Sequence, residues 1–280
     1  MKWRGRRGSS NIEDRRGRLG AAAPIGGLGL IAVLAIGYFL GVDVTPLLEQ
    51  AAPPQGGAPA ELTEADRQAA EFVSVTLADT EEVWADVFRR DLGAAYAPAT
   101  LVLFKDITQS PCGGASGATG PFYCPADRKA YLDTAFFTTL SRQLGAKGDF
   151  AAAYVIAHEI AHHVQNEIGI LGEANQIRAR VGEAEANAIS VRIELQADCL
   201  SGIWARAAEA KFGAIEEGDL EEAVNAARRI GDDMLQRNAG RVPQPHTFTH
   251  GTSEQRSRWF ARGYRSGDLQ ACDTFAAERL

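Results

Sequence analysis

Beyond residue 60 the apolar residues recur mostly at helical spacing, and the breaks between runs fall at Gly, Pro and short polar clusters. Helices are expected over 134–144, 149–168, 185–211, 216–238 and 253–264, with 64–92 forming one broken helix or two. Thr63 followed by Asp66, and Thr80 followed by Glu81 and Glu82, have the look of helix starts, and Thr252 with Gln255 makes a capping box. Strand signals are few and short: Leu101–Phe104, Phe122–Cys124, and Ala130–Leu132 ending at Asp133. There is no internal repeat, no phosphate-cradling Gly loop and no alternation of strands with helices. The fold class is therefore α+β, a mainly helical domain with a small β-sheet.

Before residue 60 the pattern changes. Residues 1–18 carry seven Lys and Arg against Glu13 and Asp14, and 19–42 hold no charged residue and are rich in Gly, Ala, Leu and Ile. That run is long enough to cross about 30 Å of hydrocarbon, and the basic flank marks its cytoplasmic side. The expectation is one uncleaved transmembrane helix over 19–42. A cleaved signal peptide is the competitor, but the apolar run is long for one and no small-x-small site follows it directly. Residues 43–62, rich in Ala, Pro and Gly, read as a linker, and 63–280 as the domain it carries. The chain would thus be single-pass in the cell's inner, or cytoplasmic, membrane, touching lipid through 19–42, with its C-terminal domain periplasmic or extracellular.

The chemistry is concentrated in the expected helix 149–168. His158 and His162 are four apart and share one helical face, so two imidazoles can meet one ion. Glu159 lies between them in angle and can take the proton of a metal-activated water as it attacks a carbonyl. A zinc site of this kind needs a third protein ligand and an open position. His163 points away from His158 and reads as a packing residue or one that supports a ligand from behind, rather than as a ligand. A third His six residues after His162, with Gly midway, would mark a metzincin; those positions hold Ile168 and Gln165, which excludes that class.

The third ligand is then sought downstream, where Glu194 and Asp198 share a helical face beside an apolar stripe. Glu194 can bind the metal, and Asp198 can accept the free ring N–H of a ligand histidine, fixing its tautomer. Glu82 and Asp86 have the same spacing but lie upstream. His246 and His250 are in a Pro-containing loop before residue 252. A loop histidine there could hydrogen-bond the oxyanion that forms on the substrate, act as a further ligand, or sit on the surface.

Four stretches, GPFYCPADRKAYLDTAFF at 120–137, AYVIAHEIAHHVQN at 153–166, RIELQADCLSGIWA at 192–205 and THGTSEQR at 249–256, resemble in this order the bacterial neutral zinc metallopeptidase family. The resemblance runs from the basic N-terminus onward. It implies a zincin-like peptidase domain of the gluzincin kind, binding Zn2+ through His158, His162 and Glu194 with Glu159 as base. It also implies a role for the His250 segment, which spacing alone does not establish.

Cys112, Cys124, Cys199 and Cys272 allow three complete pairings. An outside location permits disulfides, and the expected ones are Cys112 with Cys124, closing a Gly-rich loop, and Cys199 with Cys272, tying the tail to the Glu194 helix. Cys199 as a metal ligand is disfavoured, since it would face about 100° away from Asp198. The net charge of −7 disfavours nucleic acid as a partner. The reading is zinc-dependent hydrolysis of peptide bonds, as an endopeptidase or oligopeptidase on peptide or protein substrates, with Glu159 and His250 as catalytic residues. The rival reading is a membrane-anchored zinc-binding assembly or interaction protein with little or no peptidase activity. Hydrolysis of a non-peptide amide is a third.

Overall fold

The computed structural model describes residues 1–16, 62–116 and 120–280. In chain order its regular elements are β1 (Ile12–Asp14), α1 (Glu64–Val87), β2 (Thr100–Phe104), β3 (Ile107–Ser110), β4 (Gly113–Ser116), β5 (Phe122–Cys124), β6 (Lys129–Asp133), α2 (Phe136–Arg142), α3 (Asp149–Glu167), α4 (Ile170–Arg178), α5 (Glu183–Phe212), α6 (Asp219–Arg229), α7 (Asp232–Asn238) and α8 (Ser253–Ser266). The described residues are mainly helical with two small sheets. The larger has the order β1-β2-β6-β5, with β1, β2 and β6 parallel and β5 antiparallel at the edge; β3 and β4 form a separate hairpin.

The core is built around α3, which α1, α5 and α6 enclose. Ala151, Ala153, Ala157 and Ala161 keep its surface low, while Phe150, Ile156, Ile160 and Val164 fill the gaps, and all eight are buried. Such a helix is apolar on nearly every side, the signature of a core element rather than a surface one. The α5–α8 crossing is closer still. A Cβ on Gly202 would stand 2.1 Å from Phe260 O, and one on Gly263 would stand 1.8 Å from Cys199 O, so only glycine lets these backbones touch. That contact brings α8 over the middle of α5, where Asp198 lies.

The boundaries follow local chemistry. Thr63 and Asp66 close a capping box on α1, and Thr252 and Gln255 another on α8. Thr80 does not start a helix. Its hydroxyl donates to Leu77 O at 2.7 Å within an unbroken α1, which passes into one π-helical turn at Phe88–Leu92. The expected helix 216–238 is two helices, because Asp232 N turns to donate to Gly251 O rather than continue the ladder. The Ile170–Arg178 helix is an addition that the hydrophobic pattern did not single out.

The largest correction concerns the N-terminus. Among the described residues no helix is long and apolar enough to cross a membrane, so a domain preceded by one transmembrane helix is not supported. The expected span 19–42 and, but for Leu62, the linker 43–62 lie outside the described residues. The described flank itself contradicts the single-pass topology, because it is part of the same body as 62–280. β1 pairs with β2 in register Ile12 to Leu101, and Met1 and Trp3 are buried in the core with Trp3 edge-on to Phe72. Arg6 makes a bidentate pair with buried Asp79 at 2.6 and 2.8 Å, and Arg7 pairs with Glu82. Arg6 and Arg7 are therefore explained by acidic partners on α1, and Arg15 and Arg16 by Glu13 and Asp14 on β1, rather than by a cytoplasmic surface. A chain crossing once would put the two parts on opposite sides, so the single-pass, inner-membrane placement is withdrawn.

Candidate metal centre

Two turns of α3 and one of α5 supply the site. His158 and His162 project from α3 with ring planes 87° apart, and Glu194 projects from α5 between them. Glu194 Oε2 is 3.0 Å from His158 Nε2, and Glu194 Oε1 is 3.5 Å from His162 Nε2. One donor atom from each residue lies within 4.8 Å of the others. A tetrahedral ion bonded at about 2 Å needs donors about 3.3 Å apart, so this opening requires little movement to close on one. His158 is buried while His162 and Glu194 are half-buried, which leaves the cluster one side towards solvent.

The ring atoms facing away from the cluster are held by two unlike partners. His158 Nδ1 stands 3.0 Å from Asp198 Oδ1, without the alignment of a full hydrogen bond. Asp198 is fully buried and doubly anchored. Arg256 donates to it from Nε at 2.8 Å and from Nη2 at 3.0 Å, and the Tyr154 hydroxyl donates to Oδ1 at 2.5 Å. Burial works against the Asp198 charge, yet the Arg256 guanidinium outweighs it and holds the carboxyl below its usual range. On the other side, His162 Nδ1 lies 2.9 Å from Gln165 Oε1.

Glu159 is buried and, among the described residues, its carboxylate takes part in no hydrogen bond. Burial raises its pKa, partly offset by the His162 and His158 rings. Glu194 responds in the opposite sense: burial opposes its charge, but His162 and His250 hold it well below the normal value. His163 faces elsewhere. Its Nε2 donates to Ala97 O at 2.7 Å, so Nδ1 is left to accept the Tyr123 hydroxyl at 3.1 Å, and burial keeps the ring neutral.

His250 is on the loop that rests on α5 beside Glu194, with Gly251 against Leu195 and Val191. Asp232 pins that loop: Oδ2 accepts the backbone N–H groups of Thr249, His250 and Gly251 at 2.8, 2.7 and 3.0 Å. The ring Nδ1 lies 2.9 Å from Thr249 Oγ1 and 3.3 Å from Asp232 Oδ1. Desolvation acts against a charge on this ring, and the Glu194 and Asp232 carboxylates outweigh it and raise its pKa. His246 is exposed in a 3₁₀ turn and is not in the cluster; among the described residues its carbonyl accepts from Asn187. Disulfides join Cys112 to Cys124 and Cys199 to Cys272, so Cys199 has no thiolate to offer a metal. A second acidic group, Asp149, Asp219 and Glu222, borders the Met1 amine, which pairs with Asp149 and Asp219 at 2.9 and 3.2 Å.

Residues 1–275 match the protein family described as "Putative neutral zinc metallopeptidase". The chain belongs to that family. It is 45% identical to "Uncharacterized protein YpfJ" of Escherichia coli (strain K12), across 98% of this chain and 99% of that one. It is 41% identical to "Uncharacterized protein Rv2575" of Mycobacterium tuberculosis (strain ATCC 25618 / H37Rv), across 70% of this chain and 68% of that one. No solved structure matches. The family match begins at residue 1, so the docked N-terminal segment lies within it.

Membership in this family makes zinc the metal, and the donor set suits it. Two neutral imidazoles and one carboxylate are borderline ligands of the kind zinc takes, and three protein donors leave a position open. Four participants went unread in the sequence: Arg256, Tyr154, Gln165 and Asp232. Tyr154 is one helical turn before His158 and Gln165 nearly one turn after His162, so their spacing held a usable signal. Arg256 is separated from Asp198 by 58 residues and had none.

Proposed function

We propose that the protein is a zinc-dependent peptidase in which His158, His162 and Glu194 hold the metal and Glu159 is the general base. The observation that carries this reading is the convergence of two α3 histidines and one α5 carboxylate on a partly open cluster, with an unpaired carboxylate next to His158 in the chain. Zinc bound there supplies a Lewis acid that polarises a carbonyl and acidifies water. Glu159 takes the proton from the attacking water and returns it to the leaving amine. Its raised pKa suits both halves of that transfer, because burial makes the protonated form accessible nearer neutrality.

The substrate is an extended peptide, laid along the open edge of β5. That strand pairs only with β6 among the described strands and packs against α3, with Tyr123 bonded to His163, the residue after His162. Main-chain bonds to an edge strand bind peptides of varied sequence. His250, pinned by Asp232 on the rim of the cluster, donates a hydrogen bond to the oxygen of the scissile carbonyl as charge develops on it.

The deciding experiment measures metal content and cleavage of a mixed peptide library by the whole chain and by Glu159→Gln. The expected result is about one zinc per chain in both, the stoichiometry of a three-ligand catalytic site, with cleavage only by the wild type. Zinc in both without cleavage by either would replace the peptidase with a zinc-binding interaction protein. An active Glu159→Gln form would remove Glu159 from its role.

A further inference from the structure

We propose that Gln165 is a positioning residue that fixes the tautomer of His162, so that its Nε2 lone pair faces the metal. The inference rests on His162 as a zinc ligand and concerns how that ligand is held. Oxygen and nitrogen of a side-chain amide look alike, so the orientation of each amide is fixed by neighbours that have only one possible role. The backbone carbonyl of Ile193 can only accept, and Gln165 Nε2 lies 2.8 Å from it. The carbonyl of Cys272 can only accept, and Gln196 Nε2 lies 3.2 Å from it. These two contacts orient both amides independently. They agree, because they leave the second N–H of Gln165 facing Gln196 Oε1 at 2.9 Å.

With both hydrogens of its amide committed, Gln165 presents Oε1 to His162 Nδ1 at 2.9 Å and can only accept there. His162 must therefore carry its proton on Nδ1, which frees Nε2 for the cluster. The relay is dry: Gln165 is fully buried and Gln196 nearly so. It ends on residue 272, which the Cys199 disulfide ties to the residue after Asp198. The two ligand histidines are thus oriented by different chemistry, His158 by a carboxylate clamped by arginine and His162 by a neutral amide clamped by backbone. His163 takes the opposite tautomer through Ala97 O and faces away from the cluster, with Tyr123 on its other nitrogen.

The test uses the full chain and measures zinc affinity by competition with a chromophoric chelator in wild type, Gln165→Met and Gln196→Met. Methionine keeps the length of the side chain and removes the amide. Gln165→Met is expected to weaken zinc binding on the order of 10–100-fold, the usual cost of losing such a partner. Gln196→Met also removes buried hydrogen bonds but leaves the acceptor of His162 in place, so its affinity should stay near the wild-type value. Equal losses in the two variants, or none in Gln165→Met, would overturn the proposal. If Gln165→Met does not fold, NMR of zinc-loaded wild type with 15N-labelled histidine decides: His162 should show a slowly exchanging, hydrogen-bonded Nδ1–H, and its absence is fatal to the idea. Wild type that holds no zinc would instead remove His162 as a ligand, and the inference with it.

Discussion

Arg256 and Asp198, 58 residues apart in the chain, meet as a bidentate ion pair in the interior, with both side chains buried. The pair sits directly behind His158, and its geometry depends on the contact of α8 with α5. It is at once a structural element and the support of one histidine of the cluster.

Removing the cation should be costly. Arg256→Met leaves the Asp198 carboxylate buried with only the Tyr154 hydroxyl and the His158 ring beside it, and breaking such a pair from one side costs about 3–5 kcal/mol. Urea unfolding of the zinc-free protein should show this loss. Asp198→Asn, which removes the charge from the other side, should weaken zinc binding by roughly 10–100-fold. Stability of Arg256→Met equal to wild type would mean that the pair contributes nothing in the folded state.

The glycine contact between α5 and α8 makes a separate prediction. A methyl group on Gly263 would overlap Cys199 O, so Gly263→Ala must push the helices apart. Overpacking of this kind costs about 1–3 kcal/mol, and the same displacement should draw Arg256 from Asp198 and lower zinc affinity. Gly172→Ala is the control. Gly172 lies in α4 with open space where its Cβ would go, so alanine there should stabilise by about 0.5–1 kcal/mol. Thermal unfolding of both variants tests the contrast, and a neutral Gly263→Ala would count against close backbone contact.

Acid should loosen the N-terminal strand. Hydrogen bonds from Arg15 and Lys129 lower the pKa of Glu13 from 4.5 to about 2 in the folded protein. A depressed carboxylate pKa contributes stability that is complete above 4.5 and is lost as pH falls from there through about 2. Glu13 is about one-third exposed, so solvent screens the effect and it should be local. Protection of the β1 amides, taken relative to the intrinsic exchange rate at each pH, should fall over that window in wild type, and much less in Glu13→Gln. Identical pH profiles in the two forms would remove Glu13 as the cause.

Much of the cluster was legible because it obeys one local rule. His158 with His162, and Glu194 with Asp198, are both four-residue pairs on helices, and helical periodicity places each pair on a single face. Joining the two pairs rested on a search for a downstream carboxylate pair and on the resemblance, since no local rule says which helices meet. Residues whose partners are backbone atoms stayed hidden: the role of Gln165 depends on the carbonyls of Ile193 and Cys272, which no residue identity reveals. The N-terminus misled for a related reason. A run of arginines beside an apolar stretch looks like a membrane flank, and nothing local shows that Arg6 and Arg7 belong to Asp79 and Glu82. Glu82, which had the spacing of a ligand pair with Asp86, is occupied by Arg7 and Lys211.

Trp3 offers the most direct test of that correction. If residues 1–16 are part of the domain, its indole contributes to the same core as α1, where it is 7% exposed and meets Phe72 with ring centroids 5.5 Å apart. Replacing a buried aromatic residue of this size with alanine costs about 3–5 kcal/mol, a large share of the 5–15 kcal/mol that holds a typical domain together. Trp3→Ala should therefore lower the unfolding midpoint of the whole domain in a single transition, and the β1 amides should lose protection with it. Trp3 packs against Phe72 on α1 and takes no part in the cluster, so zinc affinity of the folded variant should change little. A variant as stable as wild type would show that the segment is not docked, and the argument from β1 against a single crossing would fall with it.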